Sequence, residues 1–205
     1  MSAAWFCLLL AALSCSAFDG AELTAGKLLV ASRDLDDPNF SRTVVLITSF
    51  DEGGAVGLVI NRPAAILPEQ VLPEVPGLAG YSGPLFLGGP VEVHNVLFLL
   101  RASDAPEPAR HVFGDVYLSG SRTLLRSLTR FPADAVRLRI FAGYAGWAPG
   151  QLEHEIHRGG WHVIPATEDI VFSDDPESVW EQVLPLPEPL TADLVHAVRP
   201  RLRGH

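Results

Sequence analysis

Lysine is nearly absent from this chain. Lys27 stands alone against fourteen arginines, and the 205 residues carry a formal net charge of −9. An acidic balance of that size repels phosphate backbones over most of the surface, which disfavours general nucleic-acid binding. Cysteine is scarce as well. Cys7 and Cys15 both lie near the start, so a chain cleaved beyond Cys7 holds at most one and forms no internal disulfide. The apolar run Ala3 to Leu13 is too short to cross a bilayer as a helix. The catalytic fingerprints are missing too. There is no G-x-S-x-G elbow, and Gly53-Gly54 and Gly88-Gly89 fit neither a dinucleotide turn nor a phosphate loop. No repeat or heptad pattern appears.

What is present points to one globular domain. A chain of 205 residues buries roughly 70% of its unfolded surface, and 17 prolines with 18 glycines imply many turns. Ser14-Cys15-Ser16-Ala17 follows the apolar run as a signal-peptidase site would, although no basic residue precedes Lys27. Residues 1–17 are therefore read as a signal peptide or N-terminal extension, with an exported or periplasmic protein expected and a cytoplasmic one as the alternative. Cys15 as a lipid-attachment site matches poorly, because Ala12 stands where leucine is usual. No transmembrane span is expected in the mature chain.

Hydrophobic alternation places strands at Lys27–Ala31, Thr43–Thr48, Val56–Ile60, Leu85–Leu87, Val96–Leu100, Val112–Leu118, Val136–Ala142, Trp161–Ile164 and Ile170–Phe172. Leu85–Leu87 and Val96–Leu100 are read as a pair about the Gly88-Gly89-Pro90 turn. Glu69–Leu72 makes at best one helical turn. Arg122–Phe131 reads as a helix capped from Ser119-Gly120-Ser121, and Pro176–Leu184 as another. From Pro185 the prolines and arginines read as a loosely held tail. Early hairpins with few, short helices argue for α+β architecture rather than a doubly wound parallel sheet.

The most informative stretch is Gly143-Tyr144-Ala145-Gly146-Trp147-Ala148-Pro149-Gly150-Gln151-Leu152-Glu153-His154-Glu155. It reads as a strand end, a glycine-rich turn with an exposed Trp147, and an acidic helix that Gly159-Gly160 ends. Near that helix N-terminus the dipole favours Glu153 and Glu155, a structural reason for both carboxylates. The run resembles the GYAGW-x-x-GQLE-x-E motif of the YqgE/AlgH family. Two further blocks resemble the same family: Leu29-Val30-Ala31 through Asp37-Pro38-x-Phe40-x-Arg42 to Gly57-Leu58-Val59-Ile60-Asn61-Arg62-Pro63, and Leu87-Gly88-Gly89-Pro90-Val91. The resemblance covers about Gly26 to Leu184. It implies a single compact domain over residues 26–184, built on a curled, barrel-like mixed sheet with a few short helices. It brings no settled reaction. Some members carry a cysteine at the end of the second strand; Thr48 stands there in this chain, which excludes a thiol mechanism at that position.

The candidate ligand-binding residues are Asn61, Arg62, Gly88, Gly89, Tyr144, Trp147, Gln151, Glu153 and Glu155. On one reading they line a groove in which Trp or Tyr stacks a ligand while Asn61, Arg62 and Gln151 hydrogen-bond it. On the other they are turns locked by their own hydrogen bonds, with Trp147 a partly buried lid on the core and Asp37 and Arg42 pairing to Glu153 or Glu155. The functional expectation is a non-catalytic binding or regulatory module with a small-molecule or protein partner. The alternative is a hydrolase-type enzyme using Glu153 or Glu155 as general base beside Asn61 and Arg62. His154 and His157, three apart with His162 beyond, depart from the four-residue spacing of zinc helices. No metal and no cofactor are expected. Arg122, Arg126 and Arg130 fall on one helix face and read as a solvated face, with a local nucleic-acid contact as the alternative.

Overall fold

A computed structural model describes residues 23–130 and 137–185. The signal or extension read at residues 1–17 and the tail from residue 186 lie outside them. Nine strands form one sheet: β1 (Lys27–Ala31), β2 (Val44–Asp51), β3 (Gly54–Val59), β4 (Leu85–Leu87), β5 (Val91–Arg101), β6 (Arg110–Phe113), β7 (Val116–Ser119), β8 (Leu138–Trp147) and β9 (Trp161–Pro165). They run in the order β6-β7-β5-β8-β3-β2-β1-β9, with β4 joined to β8. All pairings along that path are antiparallel; β4 alone runs parallel to its neighbour. Among the described residues five short α-helices accompany the sheet: α1 (Pro68–Val71), α2 (Arg122–Leu128), α3 (Gln151–His157), α4 (Glu168–Val171) and α5 (Val179–Val183).

The sheet curls because both ends of the strand order feed one core. Leu28 and Val30 of β1 share a cluster with Val112 and Val116 of β6 and β7, and with Val179 and Trp180 of α5. Strands so far apart in the order meet only if the sheet bends round into a half-barrel. A second cluster lies on the opposite face. There Val96, Phe98 and Leu100 of β5 and Ile140 of β8 receive Leu124 and Leu125 of α2 and the segment holding Leu72, Val75 and Leu78. Each fully buried Leu or Phe adds roughly 1.5–3 kcal/mol, so β5 and β8, buried on both faces, anchor the domain. This is the α+β domain that the strand and helix pattern predicts, with the curled sheet that the family resemblance implies.

Several local readings need correction. The glycine-rich run after Ala142 does not turn: β8 continues through it to Trp147. Leu85–Leu87 and Val96–Leu100 do not pair with each other, because β8 lies between them and hydrogen-bonds both. Val112–Leu118 is not one strand but the β6–β7 hairpin about Gly114-Asp115. Ile170–Phe172 belongs to a helical turn, not a strand; Glu168 and Asp169 sit favourably in its first turn. The arginine face of α2 needs no correction: Arg122, Arg126 and Arg130 are exposed opposite buried Leu124 and Leu125, as a solvated face requires. Arg122 Nε donates to Glu74 Oε1 at 2.6 Å and Arg126 Nε to the Glu74 carbonyl at 3.1 Å, tying α2 to the segment after α1.

Candidate functional site

The family blocks do converge, and what they grip is the chain's own loop between β1 and β2. Asn61 is buried at the end of β3. Its Oδ1 accepts from the Val44 N–H at 2.8 Å and its Nδ2 donates to the Arg42 carbonyl at 3.0 Å. Arg62 donates to the carbonyls of Asn39 and Ser41. From the other side, the Phe40 ring stacks on Trp147 with centroids 5.7 Å apart and meets Trp161 edge-on at the same distance. The stacking aromatic and the hydrogen-bonding amide and guanidinium are thus all in use, and Phe40 with its neighbouring carbonyls is the occupant. Asp37 and Arg42 do not reach Glu153 or Glu155: Asp37 Oδ1 accepts from the Asn39 N–H, and Arg42 pairs with Glu181 at 2.5 Å over the Trp180 ring.

Glu155 closes this network. Trp147 takes the second of its two readings, a lid on the core: it is only 4% exposed, and Trp161 is 3% exposed. An indole N–H buried without a partner is costly. Both donate to the same oxygen, Glu155 Oε2, at 3.0 and 2.9 Å, while Gln151 Nε2 donates to Oε1 at 3.0 Å. Gln151 in turn accepts from the Ala148 N–H, fixing the entry to α3. Glu153 is exposed on α3, and Tyr144 is half-buried against the inner core.

Gly88 and Gly89 have a structural task of their own. The Gly88 N–H donates to the Ala142 carbonyl and its carbonyl accepts from the Val59 N–H, so this residue stitches β8 to β3. Gly89 has φ of +153°, and a Cβ there would collide with the carbonyl of Tyr144 and the nitrogen of Ala145. Gly143, at φ of +71°, faces it with room for a hydrogen alone. Thr48 is buried, with its hydroxyl donating to the Val56 carbonyl at 3.2 Å. Among the described residues no group of three His, Cys, Asp or Glu side chains is arranged to hold a metal, so His154, His157 and His162 do not assemble one. Among those residues no helix is long and apolar enough to cross a membrane.

A concave site does exist, elsewhere. A cleft of about 520 Å³ lies between the loop entering β4, the start of β8 and the loop after α4. Arg139 forms its wall. Strand alternation separates Arg137 and Arg139 from the apolar face of β8, but that second face turns inward, beside Leu99 and Phe141, and Arg139 is 6% exposed. Its Nη1 donates to the Ile60 carbonyl at 3.0 Å, its Nη2 to the Ser173 carbonyl, and the guanidinium lies 4.5 Å from the centroid of the Phe86 ring. Burial pulls Arg139 down to about 10, opposed by Tyr81 and Asp174. It remains a cation at neutral pH.

Tyr81 borders the same cleft, its hydroxyl donating to the Leu138 carbonyl at 2.9 Å. Burial pushes its phenol up to about 12 from 10.0, partly offset by Arg139. Folding therefore favours the protonated phenol. The stability this confers is complete below pH 10 and is lost as the pH rises through about 12. Absorbance titration should show one of the 3 tyrosines ionising late, and that wave should vanish in Tyr81→Phe. A single transition at the ordinary phenol position in the parent protein would contradict the placement.

Fold and site together define a half-barrel domain whose motif residues knot the β1–β2 loop to the sheet. An AlgH-like family model (DUF179) matches residues 28–188, and the chain belongs to that family. It is 41% identical over 162 residues to a UPF0301 protein of Streptomyces coelicolor, covering 78% of this chain and 84% of the relative. A UPF0301 protein of Chlorobium phaeobacteroides is 36% identical over 165 residues, covering 78% and 85%. Among solved structures, the AlgH protein of Pseudomonas aeruginosa aligns with a TM-score of 0.65 at 28% identity, covering 88% of this chain and 95% of that one. A protein of Corynebacterium diphtheriae aligns with a TM-score of 0.69 at 26% identity, covering 81% and 90%. Family membership brings no reaction with it, so function has to be argued from the site.

Proposed function

We propose that this chain is a non-catalytic binding module whose ligand enters the cleft beside Arg139. One observation carries the reading: the motif carboxylate is spent on structure while the cleft keeps a buried cation facing open space. A general base needs an accessible oxygen to take a proton from substrate or water. Glu155 Oε2 already accepts two indole N–H groups and Oε1 accepts an amide, three of the roughly four acceptor positions of a carboxylate. Asn61 and Arg62, the partners it would need, are bonded to Val44 and to carbonyls of the 39–42 loop. Cleft volume, by contrast, falls in the range of small-molecule sites.

The competing hydrolase reading retains Glu153, which is exposed. Purified protein offered ester, phosphoester, amide and glycoside substrates should show no turnover that depends on Glu153 or Glu155. Turnover lost in Glu153→Gln or Glu155→Gln, with the fold intact by circular dichroism, would overturn the binding reading in favour of the enzyme.

A further inference from the structure

We infer that the cleft takes a small monocarboxylate carried on a flat apolar body, a ligand class that rests on the binding reading above. Arg139 is the first ground. It is 94% buried by its 6% exposure, yet among the described residues no carboxylate lies within ion-pairing distance of it. Two of its five N–H donors are committed, to the Ile60 and Ser173 carbonyls. A planar guanidinium with donors to spare suits a planar carboxylate, which it can meet through two parallel hydrogen bonds. With Asp174 across the cleft acting on it only from beyond ion-pairing distance, the buried guanidinium favours a closer anion from solution.

Charge counting fixes the valence. The ionised side chains lining the cleft are Arg137, Arg139 and Asp174, two cations and one anion, a sum of +1. One negative charge neutralises the site; a phosphate dianion leaves it negative beside Asp174. The remaining walls set the body of the ligand. Pro84, Leu138 and Pro176 offer partly exposed apolar surface with the edge of Phe172 beside them, while Phe86 lies fully buried beneath the Arg139 guanidinium. A flat apolar group packs against such walls while its carboxylate reaches the inner end at Arg139.

Benzoate is the simplest probe, and benzamide is its neutral isostere. A heteronuclear NMR titration at low salt should show saturable benzoate binding that shifts amides in the Ser82–Gly83 and Ser173–Asp174 loops. Benzamide should bind at least about tenfold more weakly, in line with the loss of one charge-assisted contact. Arg139→Lys, which keeps the charge and removes the fork, should weaken benzoate about tenfold. Arg137→Gln, an exposed change outside the buried core, should weaken it several-fold without affecting folding. If Arg139→Lys does not fold, Arg137→Gln and the benzamide comparison decide the matter. Benzamide or benzylamine binding as tightly as benzoate would overturn the ligand class while leaving a binding cleft in place. Phenyl phosphate binding more tightly would overturn the monocarboxylate. Absence of saturable shifts with all four probes would overturn both the class and the binding reading beneath it.

Discussion

Gly89→Ala is expected to unfold the domain, or to lower its thermal midpoint by about 10 °C or more. Three costs coincide at this position. The backbone φ of +153° is one that residues with a side chain rarely adopt. The new methyl would meet backbone rather than a flexible side chain, at the Tyr144 carbonyl and the Ala145 nitrogen. Those atoms belong to β8, which hydrogen-bonds β3, β4 and β5 and cannot move without breaking the centre of the sheet. The sum exceeds about 4 kcal/mol, a large part of the 5–15 kcal/mol that ordinarily holds a domain together. Gly80→Ala is the control. A Cβ there meets nothing within 4 Å and its φ lies outside the left-handed region, so its stability should stay within about 0.5 kcal/mol of the parent. Thermal melts of the two variants check the claim. Gly89→Ala melting like the parent would contradict the packing role assigned to Gly89.

Glu155→Ala should cost about 3–5 kcal/mol in urea unfolding, because it strands two buried indole N–H groups at about 1–3 kcal/mol each and empties part of the aromatic cluster. Glu155→Gln should cost only about 1 kcal/mol. The glutamine carbonyl can take the place of Oε2 and still accept from Trp147 and Trp161. Its amide then faces the Gln151 amide, and the exposed Gln151 must turn and give up its bond to the Ala148 N–H, which is the source of that cost. The gap between the two variants separates a hydrogen-bonding role from one that needs the negative charge. Equal losses would point to charge, and the latch would then be the wrong description.

How much of this was legible in the sequence depends on which force set each element. β1 and β4 were readable residue for residue, since Lys27–Ala31 and Leu85–Leu87 are short apolar runs bounded by turn residues. The motif was legible as chemistry: an aromatic platform and an amide–guanidinium pair gripping something. The occupant was hidden, because nothing local says that Phe40, more than a hundred residues from Trp147, supplies it. Gly143 and Gly146 misled for a related reason. Glycine signals a turn when only the backbone is considered, whereas here Gly143 is needed for the close approach of Gly89 and Val91 to a continuing strand. Ile170–Phe172 is too short for its periodicity to choose between helix and strand. Arg139 was the largest omission. Alternation correctly set it apart from Ile140, but a flat strand does not reveal that the sheet curls, and only the curl turns that second face inward. An isolated arginine beside apolar strand residues was the available signal, and it was indistinguishable from Arg137, which is exposed.

The central claim, that the family motif is a latch holding the β1–β2 loop and not an open site, is tested most directly by indole hydrogen exchange. Trp147 and Trp161 N–H signals should exchange roughly a hundredfold or more slowly than a free indole, with protection tracking global stability. Both signals should move together in the folded Glu155→Gln variant, since one oxygen accepts both bonds. Exchange at the free-indole rate, or a shift of only one of the two signals, would contradict the latch and return Glu155 to the list of groups available for chemistry.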